Sequence, residues 1–136
     1  MNQSVIFRRL VTGALLLFVL GGSFLAQAQE KKGFHGIPIT EVAMLPPYCQ
    51  DRLNSKRNQE KWIGVLGRNG WTHLHHYCYG LVHYYRAGTA LDLKKQDSHA
   101  RKGIGQFNYV MRNWPSDYQL YQQAQMYKQQ LQAYVK

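Results

Sequence analysis

The chain is predicted to be all-α: a helical hairpin and a C-terminal helix, following a cleaved signal peptide. Three observations carry that prediction. From Trp71 onward apolar residues recur at spacings of three and four, the mark of helices with one buried stripe. Pro, Gly and short polar links punctuate the pattern at helix lengths. No segment alternates apolar and polar residues for more than a few positions, so no strand is expected.

The N-terminal segment comes first. Arg8 and Arg9 precede an apolar run from Leu10 to Leu20, which Gly21-Gly22-Ser23 breaks before the small residues Ala26-Gln27-Ala28. A charged head, a short apolar middle and an A-x-A end define a signal peptide over residues 1–28. An uncleaved anchor is the competing reading, but the last third of the stretch is Gly, Ser, Ala and Gln. No Cys stands at the junction to carry a lipid, and no later segment is apolar enough to span a membrane. The expected location is therefore periplasmic or secreted.

Cleavage after Ala28 leaves 108 of the 136 residues, enough for one small domain over residues 40–136 behind a flexible lead-in at 29–39. Losing Arg8 and Arg9 takes Lys plus Arg from 17 to 15 against 7 acids, a mature charge of about +8. That balance suits anionic polysaccharide or an acidic lipid surface. It does not point to nucleic acid. The basic residues are scattered in runs of at most two, with no interleaved stacking platform.

Thr40 is the expected N-cap of a short first helix, which Pro46-Pro47 ends. Gln50 to Lys61 is polar and reads as an exposed helix or a loop. Trp62 to Gly70 contains three further glycine punctuations and reads as a connection, with a turn at Asn69-Gly70. Thr72 then caps the first long helix, whose stripe is Leu74, Tyr77, Cys78, Leu81, Tyr84 and Tyr85, with Gly88 near its end. A polar link spans Asp92 to Asp97. Ser98 caps the second helix, with Ala100, Ile104, Phe107, Met111 and Trp114 on one face. Gly103 and Gly105 weaken it by about 1 kcal/mol each relative to Ala, which close approach of a neighbouring helix would explain. Pro115 ends it, and Ser116 or Asp117 caps a third helix with the stripe Leu120, Ala124, Tyr127, Leu131 and Tyr134.

Two segments stand out as a pair, Leu45-Pro46-Pro47-Tyr48-Cys49 and His73-Leu74-His75-His76-Tyr77-Cys78-Tyr79-Gly80-Leu81. Together they resemble a group of uncharacterised secreted bacterial proteins that carry an LPPYC segment and an HxHHYCxGL helix followed by tetratricopeptide-like helices. The resemblance covers about residues 40–117. It implies a periplasmic tetratricopeptide-like fold and no particular activity. This chain departs by having one hairpin and a third helix, where a repeat stack needs about three repeats. That points to packing against a protein partner in the cell envelope.

Only two cysteines exist, and an exported chain carries them into an oxidising compartment, so a Cys49–Cys78 disulfide is expected. It closes a loop of about 30 residues and stabilises the fold by roughly 3–4 kcal/mol.

The chemistry-bearing residues divide the function classes. Paired carboxylates are missing, since the only acids after Glu60 are Asp92, Asp97 and Asp117 in links or caps. A Cys-His nucleophile needs a free thiolate. The chain is not expected to be an enzyme. His73, His76 and His83 lie near one helix face with Gly80 between them, a pattern suited to copper, zinc or haem if Gly80 leaves room beside the imidazoles. No HExxH, paired CxxC or CxxCH accompanies them. Ten tyrosines favour aromatic seams or a recognition surface. The leading expectation is a protein-binding scaffold module, with Tyr118, Tyr121, Tyr127 and Tyr134 of the third helix as candidate contacts. The alternative is a small copper, zinc or haem carrier.

Overall fold

The computed structural model describes residues 36–54 and 58–136. The predicted signal peptide and most of the lead-in lie outside these residues. Every described element is helical: α1 (Ile39–Ala43), α2 (Pro47–Asn54), α3 (Gln59–Thr89), α4 (Leu93–Asn113) and α5 (Gln119–Gln132). No helix among the described residues is long and apolar enough to cross a membrane.

The proline pair both ends and starts a helix. α1 follows Pro38, whose carbonyl accepts from the Glu41 and Val42 amides, so the helix begins one residue ahead of the expected Thr40 cap. Pro46 and Pro47 close α1 and open α2, with Pro47 at the first helical position, where a missing N–H costs nothing. The Pro46 carbonyl accepts from the amides of Cys49 and Gln50 at 2.8 and 3.0 Å. The polar stretch beginning at Gln50 is thus helical as far as Asn54, because Cys49 and Leu53 on its inner face are fully buried.

The largest departure from the sequence reading lies at 62–70. The expected connection is helical and belongs to α3, with a single break at Gly67 (φ 74°, ψ 160°), a backbone region that only glycine adopts readily. Tertiary packing overrides the glycine content here. Trp62, Ile63 and Leu66 lie against the core, and the phenol of Tyr118 occupies the space where a Cβ on Gly70 would sit. Thr72 is consequently no cap; its hydroxyl donates back to the Arg68 carbonyl at 2.8 Å.

α4 begins earlier than expected. Asp92, not Ser98, is the N-cap, accepting from the Lys95 amide at 2.8 Å. The first turn of α4 carries no apolar stripe because Leu93, Lys94 and Lys95 are all exposed, and this hid it as a link. At the other end, a turn from Pro115 to Tyr118 (3.0 Å) delays α5 until Gln119, so neither Ser116 nor Asp117 caps it.

α3 and α4 run antiparallel, as their pairings show: Asn69 with Asn113, His76 with Gln106, and His83 with His99. α5 runs parallel to α3, with Leu66 meeting Tyr118, Tyr77 meeting Gln123 and Tyr84 meeting Gln130. The three helices enclose one core, in which Leu74, Tyr77, Leu81, Phe107, Val110 and Leu131 are fully buried or nearly so. Phe107 alone contributes about 1.5–3 kcal/mol through burial. Ile37, at the end of the predicted lead-in, already belongs to that core.

Candidate functional site

Cys49 and Cys78 are joined by a disulfide across a Cα–Cα distance of 5.4 Å, and both are completely buried. The bond ties α2 to the middle of α3. Tyr48 and Tyr77, the residues preceding each cysteine, pack together with ring centroids 6.4 Å apart. Trp62 closes over Tyr48 edge-on at 6.0 Å, its indole N–H donating to Asp51 at 2.7 Å. The bridge therefore fixes α2 along one flank of α3, and that placement builds the surface beside it.

On that surface a continuous ridge of rings spans two helices. His73 lies 5.7 Å from Tyr109 of α4, Tyr109 lies 3.7 Å from His76, His76 lies 4.1 Å from His75, and His75 meets Tyr79 edge-on at 6.2 Å. All five residues are half-buried, wet on one side and packed on the other. Gln106 of α4 fixes His76, with Oε1 and the imidazole Nδ1 2.7 Å apart, and the Tyr109 hydroxyl lies 3.3 Å from His73 Nδ1. Arg52 of α2 completes the end of the ridge. Its guanidinium lies 4.9 Å over the Trp71 ring and 3.4 Å from His75 Nδ1, and its Nε meets no acceptor among the described residues.

Burial sets the charge of this surface. It holds the His75 imidazole down at about 4, helped by His76 and Arg52, and lowers that of His73 with a smaller push from His76. At neutral pH the His73 and His75 rings are uncharged stacking groups, and Arg52 is the fixed cation among them.

The predicted metal set is divided. His73 and His76 sit at the ridge, whereas His83 lies roughly 15 Å from His73 along the axis, ten residues at the α-helical rise. Its Nδ1 instead stands 3.1 Å from the Nδ1 of His99 on α4. The room that Gly80 was expected to leave beside the imidazoles is filled by Phe107, whose ring lies 2.6 Å from where a Gly80 Cβ would be. Among the described residues no group of three or more His, Cys, Asp or Glu side chains is gathered to hold a metal ion. Cys78, bonded to Cys49, has no thiolate to offer.

The candidate tyrosines in α5 and at its two ends mostly face inward. The Tyr118 hydroxyl donates to the Leu66 carbonyl at 2.9 Å, and its ring packs on Trp114 at 5.0 Å. Tyr127 lies between Tyr84 (4.8 Å) and Phe107 (5.9 Å). Tyr121 and Tyr134 are half-buried against the core. The outer face of α5 is left to Gln119, Gln122, Gln125, Gln129 and Gln132. Sequence reasoning missed Arg52, Gln106, Tyr109 and His99 as site residues. Their signal is the antiparallel register of α3 and α4, which pairs each of the α4 residues with a histidine of α3.

No family model, curated protein or solved structure matches the chain.

Proposed function

We propose that this chain is an exported, disulfide-stapled helical module that binds a protein partner in the cell envelope, using the ridge of His73, His75, His76, Tyr79 and Tyr109 with Arg52 at its end. The observation that carries the reading is the run of five half-exposed rings in continuous contact, with successive centroids 3.7 to 6.2 Å apart. Amphipathic rings held rigid by neighbours lose little conformational freedom on binding, which is why aromatics and arginine concentrate at the energetic centres of interfaces. The α3–α4–α5 order, with the outer two helices parallel, supports a tetratricopeptide-like arrangement. The buried disulfide supports an oxidising compartment.

The partner fits the surface by chemistry. A segment presenting apolar or aromatic side chains with a carboxylate near Arg52 would cover the rings and pair the guanidinium. The test is affinity capture from envelope extract with the wild-type chain and with a Tyr109→Ser, His75→Ser double variant whose circular dichroism matches wild type. The expected result is a stoichiometric partner retained by wild type and lost by the variant. Equal capture by both, or no partner for either, would remove the ridge from this role.

A further inference from the structure

We propose that His83 and His99 form a two-imidazole clip for a divalent transition-metal ion, copper(II) foremost, across the seam between α3 and α4. The inference is independent of partner binding at the ridge, and it uses one histidine the sequence singled out and one it did not.

The two Nδ1 atoms are 3.1 Å apart, on rings whose planes differ by 29°. With metal–nitrogen bonds of about 2.0–2.1 Å, that separation subtends roughly 100° at an ion, between the square-planar and tetrahedral values. The separation therefore suits copper(II) or zinc without moving either helix. The clip is also anchored. The His83 Cβ lies 3.3 Å from where a Cβ on Gly103 would be, so the imidazole springs from a point of close contact between α3 and α4.

The proton arithmetic is favourable. Two neutral imidazoles facing each other through Nδ1 share one proton between those atoms. An ion displaces it, and the ring that donated takes its proton on Nε2 instead, so binding releases no net proton. Burial, the His99 ring, Arg86 and Lys102 together hold the His83 imidazole down at about 4. The His99 imidazole is lowered too, by burial first and then by Arg86 and Lys102.

The surrounding charges select the class of ion. Arg86 from α3 and Lys95 and Lys102 from α4 oppose any cation, while Glu41 from α1 attracts it. Glu41 lies 2.8 Å from Arg86 and offsets that charge in part. Calcium and magnesium depend on charge and oxygen ligands, and the pair offers neither. Copper(II) and zinc form strong bonds to neutral imidazole, and copper stands highest in the divalent series. The remaining coordination positions fall to water, since no third His, Cys, Asp or Glu joins the pair among the described residues.

The experiment titrates the mature chain, made without a histidine tag, with copper(II) chloride. It follows binding by calorimetry and the coordinating nitrogens by electron paramagnetic resonance. We expect one ion per chain with two-nitrogen coupling. His99→Gln should weaken binding by about tenfold or more and lose the two-nitrogen signature. A His73→Gln, His76→Gln double variant should leave both unchanged. Unaltered binding in His99→Gln, or loss of binding in the double variant, would overturn the proposal and move the ion to the ridge. The absence of binding to wild type would also overturn it. His99 is partly exposed, so a metal-free melting curve of His99→Gln separates lost binding from a lost fold.

Discussion

At the residue scale the protein is defined by imidazoles kept neutral. His73, His75, His83 and His99 are all held below the ordinary value near 6.5, each by burial first, with His75 and His83 down at about 4. The unfolded chain regains the ordinary value, so between about pH 6.5 and 4 it binds more protons than the folded one. Stability must fall as pH falls through that window and stay level above it. Thermal unfolding followed by circular dichroism should show a melting temperature that is flat above pH 7 and drops by several degrees toward pH 4.5. His83→Gln should drop less, because it removes one neutral imidazole and relieves a second. An identical drop in the variant would show that these rings do not govern the acid response. Among the histidines of the chain, His73, His76 and His83 were legible as chemistry-bearing from the sequence. Their neighbours were not, because Tyr109, Gln106 and His99 reach them only through the register of the hairpin.

At the element scale, close approach explains some glycines and not others. A Cβ on Gly80 would meet the Phe107 ring at 2.6 Å, and one on Gly103 would meet Leu131 at 2.6 Å, whereas Gly105 faces nothing within 4 Å. The expectation that both α4 glycines mark helix contact thus holds for Gly103 alone. Gly80→Ala should destabilise by about 1–3 kcal/mol, since the added Cβ would overlap the fully buried Phe107 ring. Gly105→Ala, at an exposed position of the same helix with open space for a Cβ, should stabilise by about 1 kcal/mol. Urea unfolding of the pair measures both, and a common sign would contradict the packing described. The apolar stripes were readable because periodicity reports the core directly: Leu74, Tyr77, Cys78 and Leu81 are all buried. Helix starts were less readable. Asp92 opens α4 with an exposed polar turn that has no stripe, and Gly64, Gly67 and Gly70 disguise the first turns of α3, where Trp62 and Leu66 find packing that local propensity does not foretell.

For the whole molecule, the disulfide and the core act together. α2 is short, and it is held on α3 by the buried Cys49 and Leu53 together with the contacts of Tyr48, Asp51 and Arg52. Replacing both cysteines by Ala should cost roughly 3–4 kcal/mol, the value for a loop of about 30 residues, read from the urea midpoint. A loss under about 1 kcal/mol would mean that the unfolded chain is already restrained without the bridge. Because Arg52 rides on α2, loosening that helix should also detach the guanidinium from His75 and blunt the ridge. Stability and the proposed recognition surface are linked through the Cys49–Cys78 crosslink.

The most direct measurement is the intact mass of the protein isolated natively from whole cells, before and after reduction. A processed, bridged protein lacks residues 1–28 and gains two hydrogens on reduction. A full-length mass with both thiols already reduced would contradict export and the buried bridge together.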